Sequence, residues 1–310
     1  MNIGLYTDCF GHLSFEELLI KCNELGIEDI ELGCGNWSGA PHIDVDLLIK
    51  DSFEVVKMKE LLQKYKIKIS ALNCSGNPLT PDKKGEENRQ IILKTFEVAK
   101  LLDITTIVSM SGLPPASKDD ISPNWIITSW PPETQTILDY QWNEVLIPYW
   151  KSIIPIAKSF GIKKIALEPH GFQLVHNVEN FKRLRQATDD IIGFNLDPSH
   201  LFWMGADPLS VIRELQEEIY HIHIKDIRIE KIPASKNTLL DGKPVLDFKN
   251  RSWNFCVPGN GHSEIWWSEF ITLLKMYGYD GTLSIENEDY TMEAETAVTK
   301  TVQLLKKIKI

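Results

Sequence analysis

Short β-branched runs alternate with amphipathic helical patterns eight times along this chain, a rhythm that suits a closed parallel barrel. The runs are Ile3–Tyr6, Glu28–Leu32, Lys68–Leu72, Thr105–Met110, Lys164–Leu167, Ile192–Leu196, Tyr220–Ile224 and Thr282–Ile285. Between them, helices are expected near Ser52–Tyr65, Glu87–Leu102, Trp142–Phe160, Glu264–Met276 and Glu293–Ile308. Ser14 with Glu17 forms a capping-box pattern, Gly26 ends the first helix, Asn177 is a cap, and Asp207 with Pro208 opens another helix. At 310 residues with no break in composition, the chain is expected to be one α/β domain over residues 1–310, a single (β/α)8 TIM barrel. Two connections are long, Ser111–Tyr140 after strand four and Asp226–Gly261 after strand seven. Both lie on the C-terminal side of the strands, where such loops build lids or substrate walls.

Four strands end on residues that can hold a metal. The segments are KKIALEPH with Glu168, IIGFNLDPSH with Asp197 and His200, YHIHIKD with His223, and GTLSIENED with Glu286. An isolated carboxylate at a strand end is usually a helix cap or a loop ion pair, but barrel strands in register bring all four to one mouth. Two Glu, one Asp and one His make a mixed oxygen and nitrogen set. Mn²⁺ is the expected ion, with Co²⁺, Zn²⁺, Fe²⁺ or Mg²⁺ as alternatives. On strand seven, alternation places His221, His223 and Lys225 on one face; His223 is expected as the ligand and His221 as a hydrogen-bonded neighbour below it.

A cation flanked by carboxylates suits proton transfer beside a carbonyl. Glu168, Glu286 and His200 are the candidate proton carriers. His200 could instead bind a substrate oxygen. Asn73, Asn77, Trp203 and His262 are candidate wall residues, and Trp125, Trp130 and Trp253 in the long loops offer flat apolar surface for a sugar ring or an aromatic group.

A formal net charge of −10 argues against nucleic acid or an anionic membrane as partner. The five cysteines are scattered and free of CxxC spacing, as in a reduced chain. The opening MNIGLYTDCF lacks a long apolar core, so a cytoplasmic protein is expected.

Through ALEPH, NLDPSHLFW, HIHIKD, PGNGHSEIWWSEF and YDGTLSIENED, the chain resembles the xylose-isomerase-like TIM-barrel family of sugar phosphate isomerases and epimerases, over essentially its whole length. The resemblance implies metal ligation by Glu168, Asp197, His223 and Glu286. It also implies proton exchange by the two glutamates and substrate contact by His200. The PNW…WPPE…QW…IPYW block and the NLDPSHLFW form resemble a narrower group that includes the large, metal-bearing subunit of bacterial C-glycoside deglycosidases. Those enzymes remove a proton beside the carbonyl of a 3-oxo-glucoside and release the aglycone, and they carry a small β-rich second subunit. A sugar or glycoside substrate is therefore expected, with a small partner subunit or else a homo-oligomer. Arg228 does not fall on the position of the substrate-binding arginine of ketose epimerases, which weakens a simple epimerase reading. A stand-alone isomerase or epimerase is the alternative. The DNA-repair endonuclease branch of the superfamily is remote, since it needs a basic groove and more histidines than the eight present.

Overall fold

A computed structural model describes residues 1–308 of the chain. The strands are β1 (Asn2–Tyr6), β2 (Asp29–Gly33), β3 (Lys68–Asn73), β4 (Thr106–Ser109), β5 (Lys164–Leu167), β6 (Ile192–Leu196), β7 (Ile219–Ile224), β8 (Asp226–Ile229), β9 (Trp253–Cys256) and β10 (Thr282–Ile285). Eight of them close into a barrel in the order β1-β10-β7-β6-β5-β4-β3-β2, while β8 and β9 form a separate two-stranded sheet. Contacts are densest within two units, residues 1–31, 61–70 and the described residues from 195 onward in one and 32–60 and 71–194 in the other. The dividing points fall inside β2, the helix Ser52–Tyr65, β3 and β6, so the division cuts through regular elements rather than linkers.

Local signals set the helix ends. The Ser14 hydroxyl and the Glu17 side chain cap the helix Phe15–Leu25 reciprocally, and Gly26 closes it in the left-handed region at φ 76°. Asn177 caps Val178–Ala187, and Asp207 caps Pro208–Leu215 with proline in the first turn. Outward-facing barrel residues such as Ile3, Leu5, Ile30, Ile222, Ile224 and Leu283 are almost wholly buried. Among the described residues, no helix is long and apolar enough to cross a membrane.

Both long connections contain more structure than expected. The first carries a helix from Glu133, nine residues before the anticipated Trp142, which runs through a π-helical stretch Tyr140–Leu146 into Ile147–Ser159. The π segment buries Gln141, whose side-chain amide donates to the carbonyls of Pro114 (3.0 Å), Pro115 (3.3 Å) and Asn124 (2.7 Å). The second connection holds β8, the helix Lys231–Asn237 and β9. Asp197 also opens an unanticipated short helix, Pro198–Met204.

Candidate metal centre

Parallel register places the chemistry. Ser284 on β10 pairs with His223 on β7, and both strands present alternate residues to the barrel interior. One ligand atom each from Glu168, Asp197, His223 and Glu286 lies within 4.8 Å of the others. Asp197 divides its two oxygens. Oδ1 accepts from the Ser199 backbone N–H at 2.8 Å as the helix cap, while Oδ2 lies 3.4 Å from His200 Nε2 and 3.6 Å from Lys225 Nζ.

His223 is held from both ends of its ring. Nδ1 is 3.0 Å from Glu286 Oε2, and Nε2 is 3.1 Å and 3.2 Å from the two oxygens of Glu31. Glu31 also accepts from His221 Nε2 and Ser284 Oγ, both at 2.7 Å, and is fully buried. Burial would raise its carboxyl pKa, but the His223 and His221 imidazoles hold it well below the usual range. Glu31, His221 and His223 form a second close group. A carboxylate already accepting three hydrogen bonds is suited to orienting the imidazole rather than to ligation, which leaves His223 Nδ1 facing the carboxylate cluster. His221 therefore takes the hydrogen-bonded place expected for it.

Two functional residues had no role assigned from sequence. Glu31 was legible in DIELG, where Asp29 and Glu31 alternate with Ile30 and Leu32 and a buried carboxylate needs a partner. Lys225, 4% exposed, places Nζ 3.1 Å from Glu286 Oε2, against Glu288, and 4.6 Å from the centre of the Phe255 ring. Its signal was the period-two continuation of His221 and His223.

Charge provides the test of whether a metal fits. Asp197 and Glu286, with exposures of 0% and 14%, share the ammonium of Lys225 with Glu288, and Glu168, 3% exposed, lies in the same cluster as Asp197 and Glu286. Buried charge is costly unless balanced, and a divalent cation among these donors would balance it. The residues fit the group.

The wall residues separate into distinct roles. His200 is 3% exposed, accepts from Trp203 Nε1 on Nδ1 at 3.5 Å, and meets the Phe255 ring edge-on at 5.9 Å. A neutral ring so held carries its proton on Nε2, toward Asp197. Trp203 stacks on Trp253 at 5.5 Å, and Phe255 packs edge-on against Trp253. Phe255, two residues from Trp253 on β9, thus joins the aromatic surface unforeseen.

The remaining candidates take structural or peripheral places. His262 turns to Asp226, with Nδ1 2.7 Å from Oδ1, and lines a different cavity with Arg228. Asn73 Oδ1 accepts from Ser75 N, and Asn77 ties down Leu79 and Leu113, so Asn77 is a loop clamp rather than a wall. Trp125 packs against His176, and Trp130 is 74% exposed.

Residues 19–308 match the family model described as xylose isomerase-like TIM barrel, and the chain belongs to that family. It is 46% identical over 308 residues to the uncharacterized protein YfiH of Bacillus subtilis (strain 168), covering 99% of this chain and 98% of that one. An inosose dehydratase of Clostridium perfringens is 31% identical over 134 residues, 43% of each chain. Among solved structures, the probable 3-DHS dehydratase AsbF of Bacillus anthracis superposes with a TM-score of 0.70 at 17% identity, covering 99% of each chain. The IolI protein, described with a bound zinc atom, gives 0.65 at 20%, covering 99% of this chain and 98% of that one. Those two structures show the shared fold.

Proposed function

We propose that this chain is a divalent-metal-dependent lyase acting beside the carbonyl of a keto-sugar, removing a proton from the adjacent carbon and expelling the substituent one carbon further on. One observation carries the choice of elimination over isomerisation. The buried ammonium of Lys225 sits at the carboxylate cluster and under an aromatic ring, where an N–H donor can meet a leaving group. Simple proton shuttling between neighbouring carbons needs no such donor.

Glu168, Asp197, His223 and Glu286 would hold the cation, which when bound supplies polarisation of the substrate carbonyl and stabilisation of enolate charge. Glu168 or Glu286 accepts the proton from carbon. The C–H electron pair becomes the new C=C bond, and the bond to the leaving group breaks with its pair. Lys225 returns a proton to that group, while His200 Nε2–H orients a substrate oxygen. Asp197, through its cap, fixes the helix that carries His200.

The narrower reading is C-glycoside deglycosylation, in which an aromatic aglycone leaves the anomeric carbon of a 3-oxo-glucoside. The Trp203–Trp253 stack with Phe255 beside His200 and Lys225 supports it, because flat rings favour a flat leaving group. A small partner subunit belongs to this reading. Loss of water from a cyclic keto-polyol is the second reading, favoured by the similarity to inosose dehydratases.

The test incubates the metal-loaded chain, with and without a small partner subunit, with a 3-oxo-C-glucoside, an inosose and a ketohexose. Free aglycone is the expected product, and an enone from the inosose would move the assignment to dehydration. Epimerised ketohexose with no elimination from either other substrate would overturn the lyase reading.

A further inference from the structure

A second cavity, about 1190 Å³, lies between β8, the helix Lys231–Asn237 and the segment around Lys243–Asn250. None of the four metal-site residues lines it. Its lining runs against the character of the chain. Arg228, Lys231, Lys236, Lys243 and Lys249 face it, against Glu230 and Asp247. Asp241 neutralises Lys243 at 2.9 Å, which leaves two positive charges in excess in a chain of net charge −10. Ile227, Ile229 and Ile232 supply apolar wall beside these cations.

One edge of the cavity is built with unusual rigidity. Asp226, fully buried, accepts the backbone N–H groups of Ile227 (2.8 Å), Gly259 (3.2 Å), Gly261 (3.3 Å) and His262 (2.9 Å), and Trp267 Nε1 at 3.2 Å. Its remaining contact is Nδ1 of His262 at 2.7 Å. Only glycine fits at position 261, since a Cβ there would stand 1.9 Å from the Ile227 carbonyl oxygen. Phe202 stacks flat on the His262 ring at 3.6 Å, and Trp266 lies 5.2 Å away on an incline. A loop return this heavily hydrogen-bonded fixes one imidazole in place, with Nδ1 committed to Asp226 and Nε2 left for a ligand. Mere closure of the loop would not require an oriented histidine at a cationic cavity.

We propose that this cavity is a second binding site, for an organic phosphate monoester. The excess of two positive charges matches a phosphate that carries about −1.5 to −2 at neutral pH. The lysines supply mobile point charges, His262 Nε2 a fixed hydrogen bond, and the isoleucines a wall for the carbon skeleton. The volume slightly exceeds the roughly 300–1,000 Å³ of ordinary small-molecule sites, so a phosphorylated sugar fits. Phe202 on the helix Pro198–Met204 touches His262, and His200 sits on that same helix, so an occupant would bear on the element that carries a metal-site neighbour.

Calorimetric titration of the metal-loaded full chain tests this with a hexose 6-phosphate, inorganic phosphate, the free hexose and a dicarboxylate. Saturable binding of the hexose phosphate is expected, weaker binding of inorganic phosphate, and none of the free hexose. The double variant Lys236→Glu/Lys249→Glu should weaken binding at least tenfold, about 1.4 kcal/mol, with metal content unchanged. His262→Asn should weaken it less, and Glu168→Gln at the metal centre should leave it intact. No saturable binding, binding unaffected by the double variant, or abolition by Glu168→Gln would each overturn the assignment. Equal binding of the dicarboxylate would overturn the choice of phosphate.

Discussion

The two carboxylate oxygens of Glu31 lie 3.1 Å and 3.2 Å from Nε2 of His223, on the opposite side of the ring from Glu286. A glutamate on β2 thereby fixes the orientation of an imidazole on β7, a residue 192 positions away. Such an outer partner sets the tautomer of a ligating histidine and raises its basicity.

Glu31→Gln should therefore lower metal affinity by roughly 10–100-fold, without removing a ligand. Competition against a chromogenic chelator measures it. Unchanged affinity would show that Glu31 serves only the packing of the barrel interior.

Lys225→Met should have opposite effects on binding and turnover. Removing an ammonium 3.1 Å from Glu286 relieves competition for the carboxylates, so metal should bind more tightly. Elimination should slow by roughly 10²–10⁴-fold as the proton donor is lost. Steady-state kinetics at saturating metal separates the two, and undiminished turnover would remove Lys225 from the chemistry.

Stripping metal with a chelator should destabilise the chain, because the buried carboxylates then face one another with Lys225 as the nearby ammonium. Restoring a divalent ion at 100–1,000 times its dissociation constant should recover about 3–4 kcal/mol. Thermal melts across Mn²⁺, Zn²⁺, Co²⁺ and Mg²⁺ would also rank the ions. Identical melts with and without every ion would argue against the site.

Asp241 supplies an acid-sensitive clasp on the second long connection. Its oxygens accept from Lys243 N (3.0 Å) and Ser252 N (2.6 Å), and Lys243 Nζ lies 2.9 Å away. Burial works to raise its pKa, but these donors bring it from 3.8 to about 2. The folded value lies below the unfolded one, so the stabilisation is complete above about pH 4 and is lost as the pH falls toward 2. It amounts to about 2 kcal/mol at neutral pH. Asp241→Asn should flatten stability against pH in that window, as read by denaturant melts, and an unchanged slope would refute the clasp.

How much of this was legible varies with the distance over which each signal acts. The Ser14–Glu17 capping box, the Asn177 cap and the Asp207–Pro208 helix start depend on neighbours within three residues, and each formed where the letters placed it. The helix expected from Trp142 begins instead at Glu133, and the Gln141 it carries pairs with carbonyls 17 to 27 residues earlier, a contact that local pattern does not record. His262 was expected at the substrate wall, yet Asp226, 36 residues before it, draws its ring to another cavity.

By itself the sequence determined the barrel and the identity of the strand-end donors. Periodicity of 2 and 3.6 decides which face of each element is apolar, and parallel strands must share one C-terminal mouth. Only the tertiary structure decided which groups attend those donors. Glu31 behind His223, Lys225 among the carboxylates and Asp226 beneath His262 are contacts between residues remote in sequence or on separate strands. Nothing in local pattern encodes such pairings, because they are selected by how buried charges must neutralise one another once the barrel has closed.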